Sequence, residues 1–516
     1  FAEHTDVTSR RLLLPLESSG KLELRRVWQV DSRTDLPRGR WSSLVDAATG
    51  EVLATWNNLR FLSGTLLAEH DDRLGSGGLV TSPLPFAWIS TGTSEAYTDA
   101  DGAFDIPDGA SYSVRLNGPE VRIVDQMGDS VPTRSEDPPW TLTAADFGNR
   151  QAPLTTFVYL HRAKDMAARF DPDNSWVHER VRANVNIDDV CNAFFDGNVN
   201  FFRSGSGCNN TGRLADVIYH EWGHGFHTYA IRSGYYDGSV GEGAADTFST
   251  LLTDDSRIAP NFFSGGGTLR DTDNNRRYPD DFSPDENAIH YNGLIYGGAM
   301  WDLRQELERS LPPDDARDVT GRIWALMLRG GPTLETAYDE AVLVDDDDAD
   351  LSNGTPHQCE LVNAFGAHGL GPKGGQGVRA DHTPLTQVPA GQAATLVATV
   401  RNPAPDCFRL DPRSATVHWR LNDGAWEEAS VPMSSLTLTA ELPAGEAGDL
   451  MSYWFEVVDA DGGRIQEPPG GPIRPHTYYV GDVLRVSCQD FEADDGGYTH
   501  RLVAGEEGEG ADDWMW

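Results

Sequence analysis

Residues 216–252, DVIYHEWGHGFHTYAIRSGYYDGSVGEGAADTFSTLL, contain two histidines and later carboxylates at the spacing of a catalytic metal site. His220 and His224 are four residues apart, so on a helix of about 3.6 residues per turn both imidazoles project from one face toward one ion. Glu221 lies between them, where its carboxylate can take a proton from a zinc-activated water. The stretch therefore predicts a helix with two zinc ligands and a general base.

A third ligand is expected from the stretch Gly241–Asp246, which opens a second segment with apolar residues at helical spacing. Glu242 follows His224 by eighteen residues and fits as this ligand. Asp246, one helical turn later, is placed to accept the free N–H of a liganding histidine. Three protein ligands plus water are typical of catalytic zinc, since structural zinc sites usually close with four. The alternative is a chance His-Glu-x-x-His on a surface helix.

Two further stretches accompany the histidine motif, and together the three resemble the thermolysin-like zinc peptidases, a group of glutamate-zincins that includes the fungalysins. The stretch IHYNG at 289–293 resembles the family segment whose histidine stabilises the oxyanion, which would be His290. The stretch NAFFDG at 192–197 resembles the family's edge strand, in which Asn192 and Ala193 would hold the substrate backbone.

The resemblance covers residues 150–370 and implies roles for the side chains of the central stretch. Glu221 would be the general base, and Asp246 the carboxylate behind a liganding histidine. The resemblance assigns one catalytic zinc ion to three ligands, His220, His224 and Glu242.

One family residue has two candidates in this sequence, and at another position the sequence differs from the family pattern. Tyr235 and Tyr236 both lie where the family carries a tyrosine that assists the transition state, and the sequence does not choose between them. The family often has asparagine just before the glutamate ligand, whereas this chain has Gly241, so one hydrogen bond to substrate lacks its usual donor. His227, one turn after His224, is expected to pack or to form a cleft wall rather than to bind metal.

The chain is long enough to require several domains, because 516 residues exceed what one core usually supports. The expected fold is multidomain, with an α+β thermolysin-like metallopeptidase core, mostly α in its C-terminal lobe, flanked by all-β sandwich domains. The predicted segments are a pro-segment-like β unit at 1–60, a transthyretin-like β-sandwich at 61–148, the catalytic domain at 149–371, a linker at 372–383, an immunoglobulin- or fibronectin-like β-sandwich at 384–480, and a tail or the start of a further β domain at 481–516.

Strand patterns support the flanking β units. Apolar and polar residues alternate around a turn at 46–50, and this stretch resembles the end of the pro-segments that precede thermolysin-like and fungalysin-like enzymes. An ordinary pair of strands is the alternative. The motif TDADGAF at 98–104 resembles transthyretin-like modules, and alternation at 393–397 and 453–457 predicts a sandwich.

Composition excludes two classes of partner. Lysine and arginine total 41 against 80 acidic residues, and the net charge of −39 would repel nucleic acid and anionic lipid. No run of 18 apolar residues is present to span a bilayer. We therefore expect a soluble protein. The family resemblance implies a protein or peptide substrate, and the sequence does not determine the oligomeric state, for which a monomer is the expectation.

The five cysteines are too few for a disulfide scaffold and contain no Cys-x-x-Cys motif. Cys191 and Cys208 flank the predicted edge strand and a glycine-rich loop, so a local disulfide is expected if the protein is secreted. Five reduced and buried thiols are the alternative. The chain begins at Phe1 without the features of a signal peptide, which predicts a processed or trimmed chain, and an extracellular location rests on the family resemblance.

Two acidic groups are candidate calcium sites, because calcium takes hard oxygen ligands. Solvated carboxylates are the alternative for both. The first group accompanies the histidine motif, where the resembled family has a calcium-binding aspartate, and consists of Asp216, Asp254 and Asp255. The second lies in the densest acidic stretch of the chain and consists of Asp345, Asp347 and Asp350.

The function expected from these patterns is hydrolysis of internal peptide bonds by zinc-activated water, with Glu221 as general base and His290 among the oxyanion donors. An exopeptidase would need an anchor for a free amine or carboxylate, and none is evident. A catalytically silent protein of the same fold, whose β modules bind a protein or glycan partner, is the alternative from another class. A latent zymogen would result if residues 1–60 occupied the cleft.

Overall fold

The computed structural model describes residues 4–18, 20–35, 38–75, 78–107, 109, 111–372, 379–402, 404–434, 436–460, 463–468 and 470–482. Over these residues the chain is a multidomain α+β protein, which confirms that class. Every α-helix in the described ranges lies between Ala152 and Ala367, with β-sheets before and after. The chain divides into two compact units, residues 1–377 and 378–516. None of the helices in the described part of the chain combines the length and apolar character that crossing a bilayer requires.

The first unit begins with an antiparallel sheet whose four strands follow one another in chain order. They are β1 (His4–Ser18), β2 (Lys21–Asp35), β3 (Arg38–Asp46) and β4 (Val52–Asn57). The turn predicted at 46–50 is present, because Asp46 Oδ1 accepts hydrogen bonds from the backbone N–H groups of Ala48 and Thr49. Gly50 completes it at φ 74°, a conformation that glycine adopts without strain.

The next segment forms two small sheets, in the orders β12-β10-β7-β8 and β13-β5-β6, with β9 paired to β5. Trp140 packs against Phe104 at 5.0 Å and against Tyr112 at 5.1 Å between ring centroids, so aromatic side chains from both sheets share one core. The strands of the segment are β5 (Phe61–Asp71), β6 (Leu79–Pro83), β7 (Trp88–Ser90), β8 (Glu95–Tyr97), β9 (Ala103–Pro107), β10 (Tyr112–Arg115), β11 (Val121–Asp125), β12 (Thr133–Arg134) and β13 (Trp140–Leu142).

A mixed sheet joins segments on the two sides of residue 148, where the sequence predicted a domain boundary. Strand β11 pairs in parallel with β14 (Val181–Ile187), which pairs in parallel with β16 (Val199–Phe202). Strand β15 (Ala193–Phe195) pairs antiparallel with β16 and forms the edge. The boundary at 148/149 therefore does not separate two independent sheets, because backbone hydrogen bonds from Val121–Asp125 complete the later one.

The helical part of the first unit holds seven helices within the described residues, together with a two-stranded ribbon of β17 (Arg257–Ile258) and β18 (Arg270–Asp271). The helices are α1 (Ala152–Phe170), α2 (Ala215–Ala230), α3 (Gly238–Thr253), α4 (Ile289–Leu307), α5 (Pro313–Met327), α6 (Ala337–Asp345) and α7 (Gln358–Ala367).

Aromatic packing holds α2 and α3 against α5. Trp324 of α5 is fully buried and stacks on Phe226 at 4.6 Å and on Phe248 at 5.1 Å between ring centroids. Its indole N–H donates to the carbonyl of Ala244 at 3.0 Å, so this large side chain leaves no unsatisfied donor. The two helices that carry the histidine motif and Glu242 thereby share one rigid core.

The second unit consists of two sheets around one hydrophobic core, in the orders β19-β21-β25-β24 and β20-β28-β26-β22-β23, with β27 paired to β26. Strand β19 begins inside the linker predicted at 372–383, because it pairs with β21; residues 373–378 and the tail from 483 lie outside the described residues. The strands are β19 (Arg379–His382), β20 (Gln387–Val388), β21 (Ala394–Arg401), β22 (Pro412–Leu421), β23 (Glu427–Ser430), β24 (Met433–Ser434), β25 (Thr437–Leu442), β26 (Leu450–Asp459), β27 (Arg464–Glu467) and β28 (His476–Val480).

Candidate metal centre

Two helices bring the three expected ligands together. Helix α2 carries His220 and His224 one turn apart, and the first part of α3 carries Glu242. The Nε2 atoms of the two histidines lie 3.1 Å apart. The Glu242 carboxylate oxygens lie 3.3 Å from His220 Nε2 and 3.6 Å from His224 Nε2. This group could hold a metal ion.

The spacing of the three ligand atoms fits a single ion. Ligand atoms about 2.0–2.1 Å from a tetrahedral metal lie about 3.3–3.4 Å from one another. Glu242 Oε2 is buried and makes no well-directed hydrogen bond with the described part of the chain, although polar groups in protein interiors are normally paired. A shared cation would satisfy this oxygen and both facing imidazole nitrogens, so the donor set suits a metal.

The two histidines differ in their electrostatic surroundings. Burial lowers the pKa of His224 to about 3, which keeps its ring neutral. Burial also lowers the pKa of His220, but the carboxylates of Asp246 and Glu242 outweigh it and raise that pKa to about 10. His220 Nδ1 lies 2.8 Å from Asp246 Oδ1 and donates its proton there, which leaves Nε2 facing the ligand group. Asp246 thus occupies the position behind a ligand that the sequence predicted.

Arg270 belongs to the same group of contacts, and the sequence reasoning missed it. Its Nε and Nη2 atoms donate to the two oxygens of Asp246 at 2.7 and 3.0 Å, and Nη2 lies 3.6 Å from Glu242 Oε2. Arg270 lies in β18, within a region rich in Asp, Asn, Gly and Pro. That region has no helical or strand periodicity from which the direction of the Arg270 side chain could be predicted. Only the folded chain reveals it.

Glu221 lines the same cavity and is 6% exposed. Burial raises its pKa, the neighbouring His220 lowers it, and the net result is a pKa of about 7. A carboxylate with this pKa can exchange a proton near neutral pH, as a general base must. The chemistry predicted for this side chain is therefore compatible with its surroundings.

His290 stands at the start of α4 and reaches the cluster from another helix. Its Nε2 lies 3.3 Å from Glu242 Oε2, and its side chain is 58% exposed. Partial burial of the imidazole lowers the pKa of His290. Helices α3 and α4 approach closely where both have glycine. A Cβ on Gly243 would lie only 2.4 Å from the carbonyl oxygen of Gly293. The glycines thus allow His290 to lie beside the ligands.

The structure separates the two candidate tyrosines. Tyr236 lines the cavity, and its hydroxyl lies 3.2 Å from His224 Nδ1. Tyr235 is 64% exposed and is not among the residues that line the cavity. His227 is fully buried and packs on the Tyr236 ring at 4.5 Å between centroids, so it is a packing residue, as expected.

The cluster lies in a cavity of about 910 Å³, within the usual range for ligand sites. The edge strand β15 forms one side, and Asn192 and Ala193 both line the cavity. All lining residues belong to the range 191–290, so among the described residues none of the first sheet lines it. The apolar part of the wall consists of Phe194, Phe195, Val217, Ile258, Phe262, Phe263 and Leu269.

The predicted local disulfide is confirmed. Cys191 and Cys208 are bonded at an S–S distance of 2.10 Å, and both line the cavity beside β15. Cys359 and Cys407 are also disulfide-bonded, whereas Cys488 lies outside the described residues. The alternative of five reduced thiols is therefore wrong.

The three aspartates of the first predicted calcium group form ion pairs with arginine side chains. Arg73 donates to both oxygens of Asp216 at 2.8 and 3.0 Å and to Asp255 at 2.8 Å. Asp254 pairs instead with Arg304. The guanidinium of Arg73 supplies the positive charge that the sequence prediction assigned to calcium at Asp216.

In the second acidic stretch, the carboxylates that come together are not the three that the sequence predicted. Asp345 accepts hydrogen bonds from Thr355 at 2.7 Å and from the backbone N–H of His357 at 2.8 Å, so it fixes the start of α7 instead of joining its acidic neighbours. The carboxylates that come close together are those of Asp346, Asp347 and Asp348. Of the three predicted ligands, this group includes only Asp347.

Comparisons with known proteins do not assign this chain to a family. No family model matches the sequence. No curated protein matches it either. Three solved structures show faint likenesses: a bromine derivative of BhCBM56 (16% identical, covering 20% of this chain and 90% of that chain, TM-score 0.14), an engineered protein from the Northeast Structural Genomics Consortium (11%, 71% and 78%, TM-score 0.16), and the twitchin kinase region from C. elegans (10%, 92% and 93%, TM-score 0.14). TM-scores this low carry no argument about fold or function.

Proposed function

We propose that this protein is a secreted zinc-dependent endopeptidase of the thermolysin-like and fungalysin-like class, with residues 149–371 as its catalytic domain. The observation that carries the proposal is the convergence of His220, His224 and Glu242 beside the buried Glu221. Two imidazoles and one carboxylate are a ligand set that suits zinc and leaves a coordination position for chemistry. The two disulfides are compatible with an extracellular location.

A zinc ion in this site would supply a Lewis acid and a water molecule of lowered pKa. In the proposed reaction Glu221 takes a proton from water as the water oxygen bonds to the carbonyl carbon. Glu221 then delivers that proton to the leaving nitrogen as the C–N bond breaks. His290 stabilises the oxyanion by donating a hydrogen bond, a contribution worth about 3 kcal/mol for one donor.

The edge strand supports cleavage inside a chain. Among the described residues, strand β15 pairs on one side only, with β16, and an extended peptide can add to its free edge through backbone hydrogen bonds. An exopeptidase would need a charged anchor for a chain end. Arg270 is the one arginine or lysine lining the cavity, within the described residues, and both its Nε and Nη2 atoms already bond to Asp246. The two carboxylates that line the cavity in the described residues, Glu221 and Glu242, are the proposed general base and metal ligand, so neither is left to hold a free amine. An endopeptidase is therefore favoured over an exopeptidase.

Two alternatives have less support. A latent zymogen would require the N-terminal segment in the cleft, yet every residue that lines the cavity in the described chain comes from 191–290. A silent protein that binds partners through its β modules would have no need of Glu221 next to a complete ligand set. Neither alternative has a specific observation in its favour.

The test measures bound zinc and cleavage of an unfolded protein for the parent chain, Glu221→Gln, and the exposed control Glu427→Gln. We expect one zinc per chain in all three. Cleavage at internal bonds should fall by about 10²–10⁴-fold in Glu221→Gln only, because a general base contributes roughly this factor. The full chain is used because a version starting at 150 would lack β11. Absence of zinc, or cleavage that does not depend on Glu221, would contradict the proposal.

A further inference from the structure

The hydroxyl of Tyr236 contacts the side of His224 that faces away from the ligand group. His224 Nε2 faces His220 Nε2 at 3.1 Å, so Nδ1 is the nitrogen left to carry the ring proton. The Tyr236 oxygen lies 3.2 Å from that Nδ1, the distance at which it accepts a hydrogen bond. The contact parallels the one between His220 Nδ1 and Asp246, so each histidine has its own partner behind it.

The space for this hydroxyl exists because residue 241 is glycine. A Cβ at Gly241 would lie 2.2 Å from the Tyr236 oxygen and 2.6 Å from its Cζ. No side chain can therefore occupy position 241 while the tyrosine keeps its place. Gly241 is also the residue directly before the ligand Glu242. The Tyr236 side chain therefore packs against the backbone that carries the third ligand.

One further contact orients the tyrosine ring, and a helix cap fixes the residue that follows it. His227 packs on the tyrosine ring with an interplanar angle of 32°, and neither nitrogen of that buried imidazole has a hydrogen-bond partner within the described ranges. The next residue, Asp237, caps α3 by accepting a hydrogen bond from the backbone N–H of Val240 at 2.9 Å. The ring is thus held between the two helices that carry the metal ligands.

We infer that Tyr236 is a positioning residue that orients His224 for metal binding, in a space that Gly241 provides. The inference rests on the proposed function, since it concerns the same site. It differs from the role expected from the family, in which a tyrosine of this region assists the transition state. The partner of a liganding histidine typically affects metal affinity as well as rate, because it sets the tautomer and orientation of the ring.

The test measures zinc affinity by competition with a chromophoric chelator, in the full chain carrying Glu221→Gln so that self-cleavage cannot interfere. We expect Tyr236→Phe to weaken zinc binding by about 10–100-fold. Gly241→Ala should weaken it similarly, because the added methyl displaces the hydroxyl. Tyr229→Phe, on an exposed side chain of α2, should retain the affinity of its parent.

The outcomes separate this inference from the proposed function. Near-ultraviolet circular dichroism of the metal-free variants checks that each one folds. If the chain with Glu221 intact cleaves protein, and Tyr236→Phe in the Glu221→Gln background binds zinc as tightly as that background alone, the inference is wrong. If the parent binds zinc without cleaving, the proposed function fails, and a loss of affinity in Tyr236→Phe still supports the positioning role.

Discussion

At the residue scale, one buried carboxylate shows how the site depends on paired charges. Asp246 is 1% exposed and bonds to His220 on one side and to Arg270 on the other. Burial alone would raise the pKa of Asp246, but Arg270 and His220 hold it far below its usual value, so the group stays ionised. A buried ion pair of this kind is costly to break, because the remaining charge loses its partner without gaining water.

We expect Asp246→Asn to lower the free energy of unfolding by about 3–5 kcal/mol, since it leaves the Arg270 guanidinium buried beside a neutral amide. The matched control is Asp318→Asn, which breaks an exposed pair with Arg169 and should leave stability nearly unchanged. Urea unfolding of the metal-free proteins measures both. Equal stability of the Asp246 variant and the parent would contradict this account.

At the element scale, the site depends on how closely helices α3 and α4 approach. A Cβ on Gly293 would lie 2.7 Å from Glu242 Cβ, and one on Gly243 would lie 2.4 Å from the Gly293 carbonyl oxygen. Backbone cannot yield as a flexible side chain can, so any larger residue must push the helices apart. The same approach places His290 next to Glu242. Packing and chemistry are therefore linked in this pair of helices.

Gly243→Ala should destabilise the protein by about 1–3 kcal/mol through overpacking, even though alanine has the higher helix propensity. Gly265→Ala, at a loop position where a Cβ would meet nothing within 4 Å, is the control and should be neutral. Denaturant midpoints at constant m-value measure the change. A Gly243→Ala protein more stable than its parent would show that propensity outweighs the close contact.

At the scale of the whole molecule, Arg73 ties the segment before residue 148 to the helical part of the first unit. Its guanidinium bonds to Asp216 at the start of α2 and to Asp255 beyond the end of α3. Asp216 is 1% exposed, so this cation compensates a charge that water does not reach. The N-terminal β region thus contributes directly to the stability of the metal helix.

We expect Arg73→Met to lower the free energy of unfolding by about 3–5 kcal/mol, because it leaves the buried Asp216 carboxylate without its cation, whereas Asp255 keeps its pair with Arg257. Calcium should then raise the melting temperature of the variant more than that of the parent, since the freed oxygens suit a hard cation. Arg309→Met, which breaks an exposed pair, is the control. The same response to calcium in variant and parent would contradict this role.

The features that the sequence determined are local ones. The i, i+4 spacing of His220 and His224 places both on one helix face whatever surrounds that helix. The capped turn at Asp46, the two-sheet pattern of the second unit, and the pairing of Cys191 with Cys208 likewise follow from residues close together in the chain or from strand periodicity. Short separations suffice because backbone geometry alone restricts where such side chains lie.

The tertiary structure decided every feature that depends on distant segments. It places Arg270 behind Asp246, Tyr236 rather than Tyr235 beside His224, and Arg73 where calcium was expected. It also pairs β11 with β14 across a predicted boundary. In each case the chain contains many residues or strands of the same type, and no periodicity in the nearby sequence indicates which one makes the contact. Burial selects it, because a buried charge or an unpaired strand is stable only where the fold supplies its partner.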